Sequence, residues 1–331
     1  MPETPGAEQW QKRPEAGGRF AHWLLRTLAF RVGRPVARFI TFFAAFYFMV
    51  RRSQERAASR AYLRRVLGRP ATFVEVYRHF LWFSTVTLDR LYLMADRFSR
   101  FDVTVSGIEQ LDDALREGRG TLLLSAHLGS FDALRVLSLR SPNTPIRILL
   151  DVGQGAGITG VLNALNPKLA STIIDARRPG PELVLEMQHA LEQNAVVSTL
   201  ADRLRPGNPV ITANFLGAPA PFPASPWLFA GALRVPVVLA FGLYLGGNRY
   251  ELHFERFAVE LPRDRRERAA ALTDIAQRFA DRLAHFARLA PYNWFNLYDF
   301  WEMPLATHSA AERAAAERAA ADGDRGPVSG T

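Results

Sequence analysis

The sequence predicts an α/β protein, in which a single mostly parallel or mixed sheet is flanked by helices and preceded by an N-terminal helical region. Of its 331 residues 48% are hydrophobic, which is enough to form a core. None is cysteine, so disulfides and zinc–thiolate sites are excluded. From residue 101 onward, short apolar runs alternate with amphipathic stretches, as in βα units. Before residue 100 the pattern is helical and rich in arginine.

The positive charge of the chain is concentrated in that N-terminal region. The whole sequence carries +9, whereas residues 12–69 alone hold 14 basic and two acidic residues, a net charge of +12. Within this segment the 12-residue apolar run 39–50 is bracketed by Arg38 and by Arg51 and Arg52. A membrane-spanning helix needs roughly 20 residues, so we expect the run to lie in a bilayer interface with its arginines at the headgroups. The alternative is an ordinary core helix with a solvated basic face.

Composition divides the chain into four parts. Residues 1–18 are rich in Pro, Gly and Glu and are predicted to be disordered. Residues 19–100 form the basic, amphipathic, membrane-docking region, with a break at Gly68–Pro70, and residues 101–303 form the α/β domain. Residues 304–331 are a polar low-complexity tail. Nucleic acid also selects basic patches, but a phenylalanine-rich run with arginines only at its ends suits lipid better, so no nucleic-acid partner is predicted.

Strands and helices alternate through the α/β domain. The candidate strands are 101–106, 121–125, 146–150, 172–174, 195–200, 210–215, 237–241 and 250–257. The candidate helices begin at 107 and otherwise lie near 131–140, 158–165, 181–193, 226–233 and 264–289. A Gly-Gly-Asn turn at 246–248 predicts that the last two strands form a hairpin that extends the parallel sheet.

The segment 121–132 carries the clearest chemical signal. A buried strand ends at Ser125, His127 follows on the turn into a helix, and Asp132 comes five residues later. Strand ends are where open α/β sheets bind ligands. A carboxylate in the first helical turn can hold one imidazole nitrogen and leave the other free as a base. The alternative is a histidine that caps the helix and an aspartate that stabilises its start.

Two further strand ends carry charge. Asp202 and Arg203 follow one strand, and Arg178 follows the strand 172–174. An arginine at the same sheet edge as His127 could stabilise an oxyanion or bind an anionic substrate group. The alternative is a set of surface ion pairs, which contribute little.

The run Gly155–Gly160 matches the G-x-G-x-x-G pattern of dinucleotide sites. It follows the second strand of the α/β region and is separated from it by Asp151–Gln154, whereas the fingerprint belongs to the first βα turn. We interpret it as a loop, and a nucleotide-dependent enzyme that uses this loop stays as an alternative.

In order along the chain, these segments resemble the lauroyl/myristoyl acyltransferases of late lipid A biosynthesis, in the lysophospholipid acyltransferase-like superfamily. The run His127–Asp132 matches the H-x4-D motif of glycerolipid-type acyltransferases, and Ala201–Arg203 and the Pro-rich block 215–223 resemble later family motifs. Arg203 stands where the family often has glutamine. The aromatic-rich block 291–301 contains the family's Pro-x-x-Trp element and resembles the subgroup found with aryl-polyene-type lipid pathways.

The resemblance implies an O-acyltransferase that moves a fatty acyl chain from an acyl carrier protein or coenzyme A thioester to a lipid or glycolipid hydroxyl, with a lipid A-like acceptor favoured. It implies that His127 is the general base, that Asp132 fixes its tautomer, and that Arg203, Asp202 or Arg178 contact the substrate or oxyanion. No metal or redox cofactor is implied. The expected partners are acyl carrier protein and an anionic membrane surface, and the expected place is the cytoplasmic face of the bacterial inner membrane. The rival class is a non-catalytic membrane-binding protein that has kept the fold.

Overall fold

The computed structural model describes residues 30–31, 33–136, 144–152, 160, 162, 164–205 and 208–302. The helices, which we number here in chain order, are α1 (Arg34–Arg51), α2 (Ser53–Leu67), α3 (Phe73–Met94), α4 (Ile108–Arg116), α5 (Pro167–Ala170), α6 (Gly180–Glu192), α7 (Ser225–Leu233) and α8 (Arg265–Leu289). The strands are β1 (Asp102–Ser106), β2 (Thr121–Ser125), β3 (Ile146–Leu150), β4 (Ile173–Asp175), β5 (Val196–Leu200), β6 (Val210–Phe215), β7 (Ala218–Pro223), β8 (Val237–Tyr244) and β9 (Arg249–Arg256).

Seven of these strands form one sheet in the order β1-β9-β8-β2-β5-β3-β4. All neighbours pair in parallel except β8 and β9, which form the antiparallel hairpin that the Gly-Gly-Asn turn predicted. The α/β prediction with a mostly parallel sheet is therefore confirmed. The central strand β2 is buried along its whole length, because Leu122 and Leu124 pack in one hydrophobic cluster and Leu123 packs in another on the opposite face.

The register between β2 and β5 decides what meets at the carboxyl edge of the sheet. Ser125 lies opposite Leu200 at the ends of the two strands. The chain leaves both strands in the same direction, so the residues two positions further on, His127 and Asp202, face each other.

One predicted strand lies outside this sheet, and one strand was missed. β6 pairs only with β7, in a separate two-stranded antiparallel ribbon. The sequence of β7 is Ala-Pro-Ala-Pro-Phe-Pro, and proline, which has no amide proton to donate, is confined to strand edges. An isolated ribbon has two edges, so it tolerates prolines that a central strand would not.

The N-terminal region forms a helical layer against the sheet domain. The predicted break is confirmed: Gly68 ends α2 in the left-handed conformation at φ +69°, and Thr72 and Glu75 form a capping box that starts α3. Helix α1 packs on α3 through a stripe of small or apolar residues at four-residue spacing: Ala37, Thr41, Ala45 and Met49. No helix within the described ranges has the length and apolar character needed to cross a bilayer.

Several sequence predictions lie outside the described residues. These are the disordered segment 1–18, residues 155–159 of the glycine run 155–160, the whole tail 304–331 and residues 137–140 of the helix expected at 131–140. Residues 131–136 form a 3₁₀ helix instead of the α-helix that the sequence predicted.

Candidate active site

The carboxyl ends of β2 and β5 join His127 to Asp202. The Nδ1 atom of His127 lies 2.7 Å from Oδ1 of Asp202, and the backbone N–H of His127 donates to Oδ2 of the same carboxylate at 3.0 Å. The Asp202 side chain is completely buried, whereas the His127 side chain is 25% exposed. The imidazole is therefore anchored from below by Asp202 and remains reachable from outside.

Two further donors saturate the Asp202 carboxylate. Its Oδ2 accepts hydrogen bonds from Nε1 of Trp294 at 3.1 Å and from Nδ2 of Asn296 at 3.0 Å. Burial by itself would raise the pKa of Asp202, but His127 and Arg203 lower it to about 2. The carboxylate thus stays ionised and acts only as an acceptor.

The electrostatics around His127 favour the neutral imidazole. Burial lowers the pKa of His127 below that of an ordinary histidine, and the positive charges of Arg203 and Arg90 lower it further, while Asp202 opposes them. A neutral ring that donates its Nδ1 proton to Asp202 presents the lone pair of Nε2. A neutral imidazole held by a carboxylate in this way has the arrangement that general-base chemistry requires.

Asp132 does not make the contact that the sequence analysis expected of it. Its Oδ2 lies 2.7 Å from Nε of Arg90, which α3 supplies, and the imidazole nitrogen is held by Asp202 instead. The tautomer-fixing role expected for Asp132 is therefore corrected, because Asp202 occupies Nδ1. The spacing from His127 to Asp132 gives no sign of this, since the partner arrives from a neighbouring strand.

The two arginines predicted for substrate or oxyanion contacts lie in different places. Arg203 donates from Nε to Oδ1 of Asn296 at 2.6 Å and from Nη2 to the carbonyl of Phe295 at 3.1 Å, and its charge reaches His127. Arg178 pairs with Glu186 at 3.1 Å, half exposed, near the start of α6. It follows the edge strand β4, two strands beyond β5, so the structure brings Arg203 to the site and leaves Arg178 outside it.

The segment 293–296 had no role assigned in the sequence analysis, and we call it the clamp. It holds residues 126–130, the His127 loop, in place. The carbonyl of Asn293 accepts the N–H of Gly129 at 2.8 Å, and the N–H of Phe295 donates to the carbonyl of His127 at 2.8 Å. The Asn293 side chain also bonds both backbone groups of Tyr244. The only sequence signal for this clamp was the Pro-x-x-Trp element.

Gly129 is required where the His127 loop crosses β8. It has a φ of +66°, and a Cβ at this position would collide with the carbonyl oxygen of Gly242. The N–H of the next residue, Ser130, donates to that carbonyl at 2.7 Å. Glycine thus allows the loop to lie directly on β8.

Within the described ranges, no three His, Asp or Glu side chains come together as a metal site would need. A family model described as bacterial lipid A biosynthesis acyltransferase matches residues 12–302, which include the helical layer, the sheet, His127 and the clamp. No curated protein matches the chain.

Proposed function

Because the chain belongs to the bacterial lipid A biosynthesis acyltransferase family and is an acyltransferase, we propose that it moves a fatty acyl chain from an acyl thioester to the hydroxyl of a lipid or glycolipid. The thioester is that of an acyl carrier protein or coenzyme A, and a lipid A-like acceptor is favoured. The observation that carries the proposal is the His127–Asp202 pair at the carboxyl edge of the sheet.

The reaction follows from the orientation of the imidazole. Nε2 of His127 removes the proton of the acceptor hydroxyl, and the oxygen attacks the thioester carbonyl carbon. The tetrahedral intermediate then expels the thiolate, which takes the proton back from His127. Asp202 stabilises the imidazolium formed in between and holds the ring so that Nε2 faces outward. The products are the ester and the free thiol, and no other reagent is consumed.

Arg203 supports this reaction through its charge. The same field that lowers the pKa of His127 favours a negative charge developing beside the ring. Arg90 adds a second guanidinium on the α3 side, held by Asp132 at 2.7 Å. In this proposal the aspartate of the H-x4-D run positions an arginine, and Asp202 positions the histidine.

The helical layer supports docking on an anionic membrane at the cytoplasmic face of the bacterial inner membrane. Helix α1 exposes a set of aromatic side chains that we call the α1 surface: Phe39, Phe42, Phe43, Phe46 and Tyr47. Phe39 is 67% exposed and Tyr47 59%, which is unusual for a contiguous set of such residues in water. Arginines flank the helix at both ends and suit headgroup phosphates.

The proposal is tested with the purified full chain and two donors, acyl carrier protein and coenzyme A thioesters, offered with a detergent-dispersed glucosamine-disaccharide lipid. His127→Ala should abolish transfer. His189→Ala, which changes an exposed histidine on α6, is the matched control and should leave it unchanged. Wild-type turnover by His127→Ala would remove His127 from the mechanism. Vesicle binding by the wild type without consumption of either donor would favour the non-catalytic membrane-binding protein.

A further inference from the structure

A cleft of about 370 Å³ lies beside the N-terminus of α1 and is used by none of the steps above. Its walls come from α1, from the 3₁₀ turn Phe98–Arg100 and from the turn between β8 and β9. The lining residues are Arg34, Pro35, Arg38, Arg100, Gly247 and Asn248. Half of them are arginines, which makes the cleft strongly cationic.

The first of these arginines is fixed by buried groups. Arg34 makes a two-pronged contact with Asp89, from Nε to Oδ1 at 2.7 Å and from Nη2 to Oδ2 at 2.8 Å. Asp89 is fully buried and also accepts the hydroxyl of Tyr250 at 2.9 Å. Nη2 of Arg34 reaches the carbonyl of Gly247 as well, at 2.8 Å. Arg34 is thus a rigid wall of the cleft.

The other two arginines have neutral neighbours. Arg38 donates to the carbonyl of Gly247 and, at 3.0 Å, to the hydroxyl of Tyr244. The guanidinium of Arg100 lies 5.4 Å from the ring centre of Tyr92. Within the described residues neither has a carboxylate partner, so three guanidinium charges face the single charge of Asp89. An excess of about two positive charges is left at the cleft.

We propose that this cleft binds the phosphate group of a lipid headgroup, a phosphomonoester in particular. Guanidinium groups match phosphate oxygens in planar, two-pronged geometry, and a phosphomonoester dianion matches the excess charge. The cleft is shallow and largely open to solvent, and its volume falls at the lower end of the usual range for small-molecule sites. It accommodates a phosphate together with part of the sugar or glycerol that carries it.

The position of the cleft argues for a lipid. Arg38, on its wall, is followed directly by Phe39, the first aromatic residue of the α1 surface. A headgroup in the cleft therefore lies at the end of the surface that we propose contacts the bilayer.

The cleft also lies at the carboxyl edge of the sheet, the same edge at which His127 is found. Gly242 of β8 bridges to Gly129 of the His127 loop, and Gly247 is five residues further along the chain. At the rise of an extended chain, the Cα atoms of Gly242 and Gly247 are at most ~17 Å apart. A single acceptor could place its phosphate in the cleft and its hydroxyl at His127, a step that rests on the proposed function.

The test measures binding without any acyl donor, so that it succeeds or fails independently of acyl transfer. Cosedimentation is measured with phosphatidylcholine vesicles that contain a minor fraction of either phosphatidic acid, a phosphomonoester, or oleate, a carboxylate of like sign. The wild type should prefer phosphatidic acid. Arg38→Gln combined with Arg100→Gln should lose that preference by about tenfold or more, because two charged hydrogen-bond donors are removed. Arg34 is left intact, since its removal would leave the buried carboxylate of Asp89 without its ion-pair partner.

The matched control removes the same charge elsewhere, through Arg116→Gln on α4 combined with Arg288→Gln on α8, and should keep the preference. Equal binding to both vesicle types, or an equal loss in both double variants, would overturn the proposal. Titration with inorganic phosphate separates the two sources of this chemistry. A cleft that takes up free phosphate while phosphatidic acid gives no gain over oleate would be a free-anion site, and the assignment to a lipid headgroup would be wrong.

Discussion

The His127 site and the α1 surface differ in burial: the first buries a charged group, and the second exposes apolar side chains. At the sheet edge a carboxylate is completely buried and accepts four hydrogen bonds, from His127 twice, from Trp294 and from Asn296. On α1 the side chains of Phe39 and Phe43 are 67% and 58% exposed. Burying an ionised group is unfavourable in free energy unless the group is fully paired. Leaving a phenylalanine exposed is also unfavourable, because its apolar area stays in contact with water. In the proposed function, a substrate covers the first region and a membrane surface covers the second.

The largest expected effect tests which carboxylate serves the histidine. Asp202→Asn keeps the shape but removes the acceptor that fixes the Nδ1 proton, so kcat should fall by roughly 10³- to 10⁴-fold, as when the aspartate of a catalytic triad is replaced. Asp132→Asn should cost clearly less, because it only weakens the hold on Arg90. Steady-state kinetics on both variants, with the unfolding midpoint as a check on folding, decide the order. A greater loss of kcat in Asp132→Asn would restore the assignment made from the H-x4-D motif.

The second prediction concerns the backbone under the site. In Gly129→Ala the new Cβ meets the carbonyl of Gly242, at a φ that L-residues rarely adopt. The free energy of unfolding should fall by roughly 2–4 kcal/mol. Gly118→Ala is the matched control: it has a similar φ of +70° and no atom within 4 Å of the added Cβ, so it should cost about 1 kcal/mol. Chemical denaturation measures both, and equal losses would show that the close approach to β8 is unimportant.

The sequence predicted the elements of this site better than their partnerships. The ends of β2 and β5 were assigned correctly because apolar runs followed by polar residues mark them. The pairing of His127 with Asp202 depends on the register between β2 and β5, which the 70 residues 126–195 separate in the chain, and local spacing does not encode it. Asp132, close in sequence, was the natural candidate, but it lies in a 3₁₀ turn and meets Arg90 of α3.

The clamp and β7 were missed for a related reason. Asn293 and Asn296 act through tertiary contacts to distant loops, and an asparagine that follows a proline usually indicates no more than a turn. β7 contains three prolines, which normally argue against a strand. Only its isolation in a two-stranded ribbon makes such a sequence possible.

The α1 surface gives a smaller effect, and one confined to binding. Phe39→Ser combined with Phe43→Ser should weaken partitioning to anionic vesicles by about tenfold or more, because apolar area that would be buried in lipid is removed. The free energy of unfolding should change by less than ~0.5 kcal/mol, since both side chains are already exposed. Vesicle cosedimentation and thermal unfolding measure the two quantities. The matched control, Leu185→Ser, removes an exposed leucine on α6. An equal loss of vesicle binding in that variant would mean that α1 has no special part in docking.

The smallest expected effect is a shift in the pH dependence of kcat/KM, which reports on the charges around His127. His127 must be neutral to act as a base, and its pKa is lowered by burial and by Arg203 and Arg90, so the acid limb of kcat/KM should lie below the 6.5 of an ordinary histidine. Replacing Arg203 with glutamine removes a positive charge that disfavours the imidazolium. The pKa of His127 should then rise, and the acid limb should move to higher pH. Arg90→Gln should move it in the same direction but less, because Arg90 lowers the pKa of His127 less than Arg203 does. A lower kcat with no movement of the limb in Arg203→Gln would show that Arg203 acts through Asn296 and Phe295 alone, as a brace for the clamp and not through its charge.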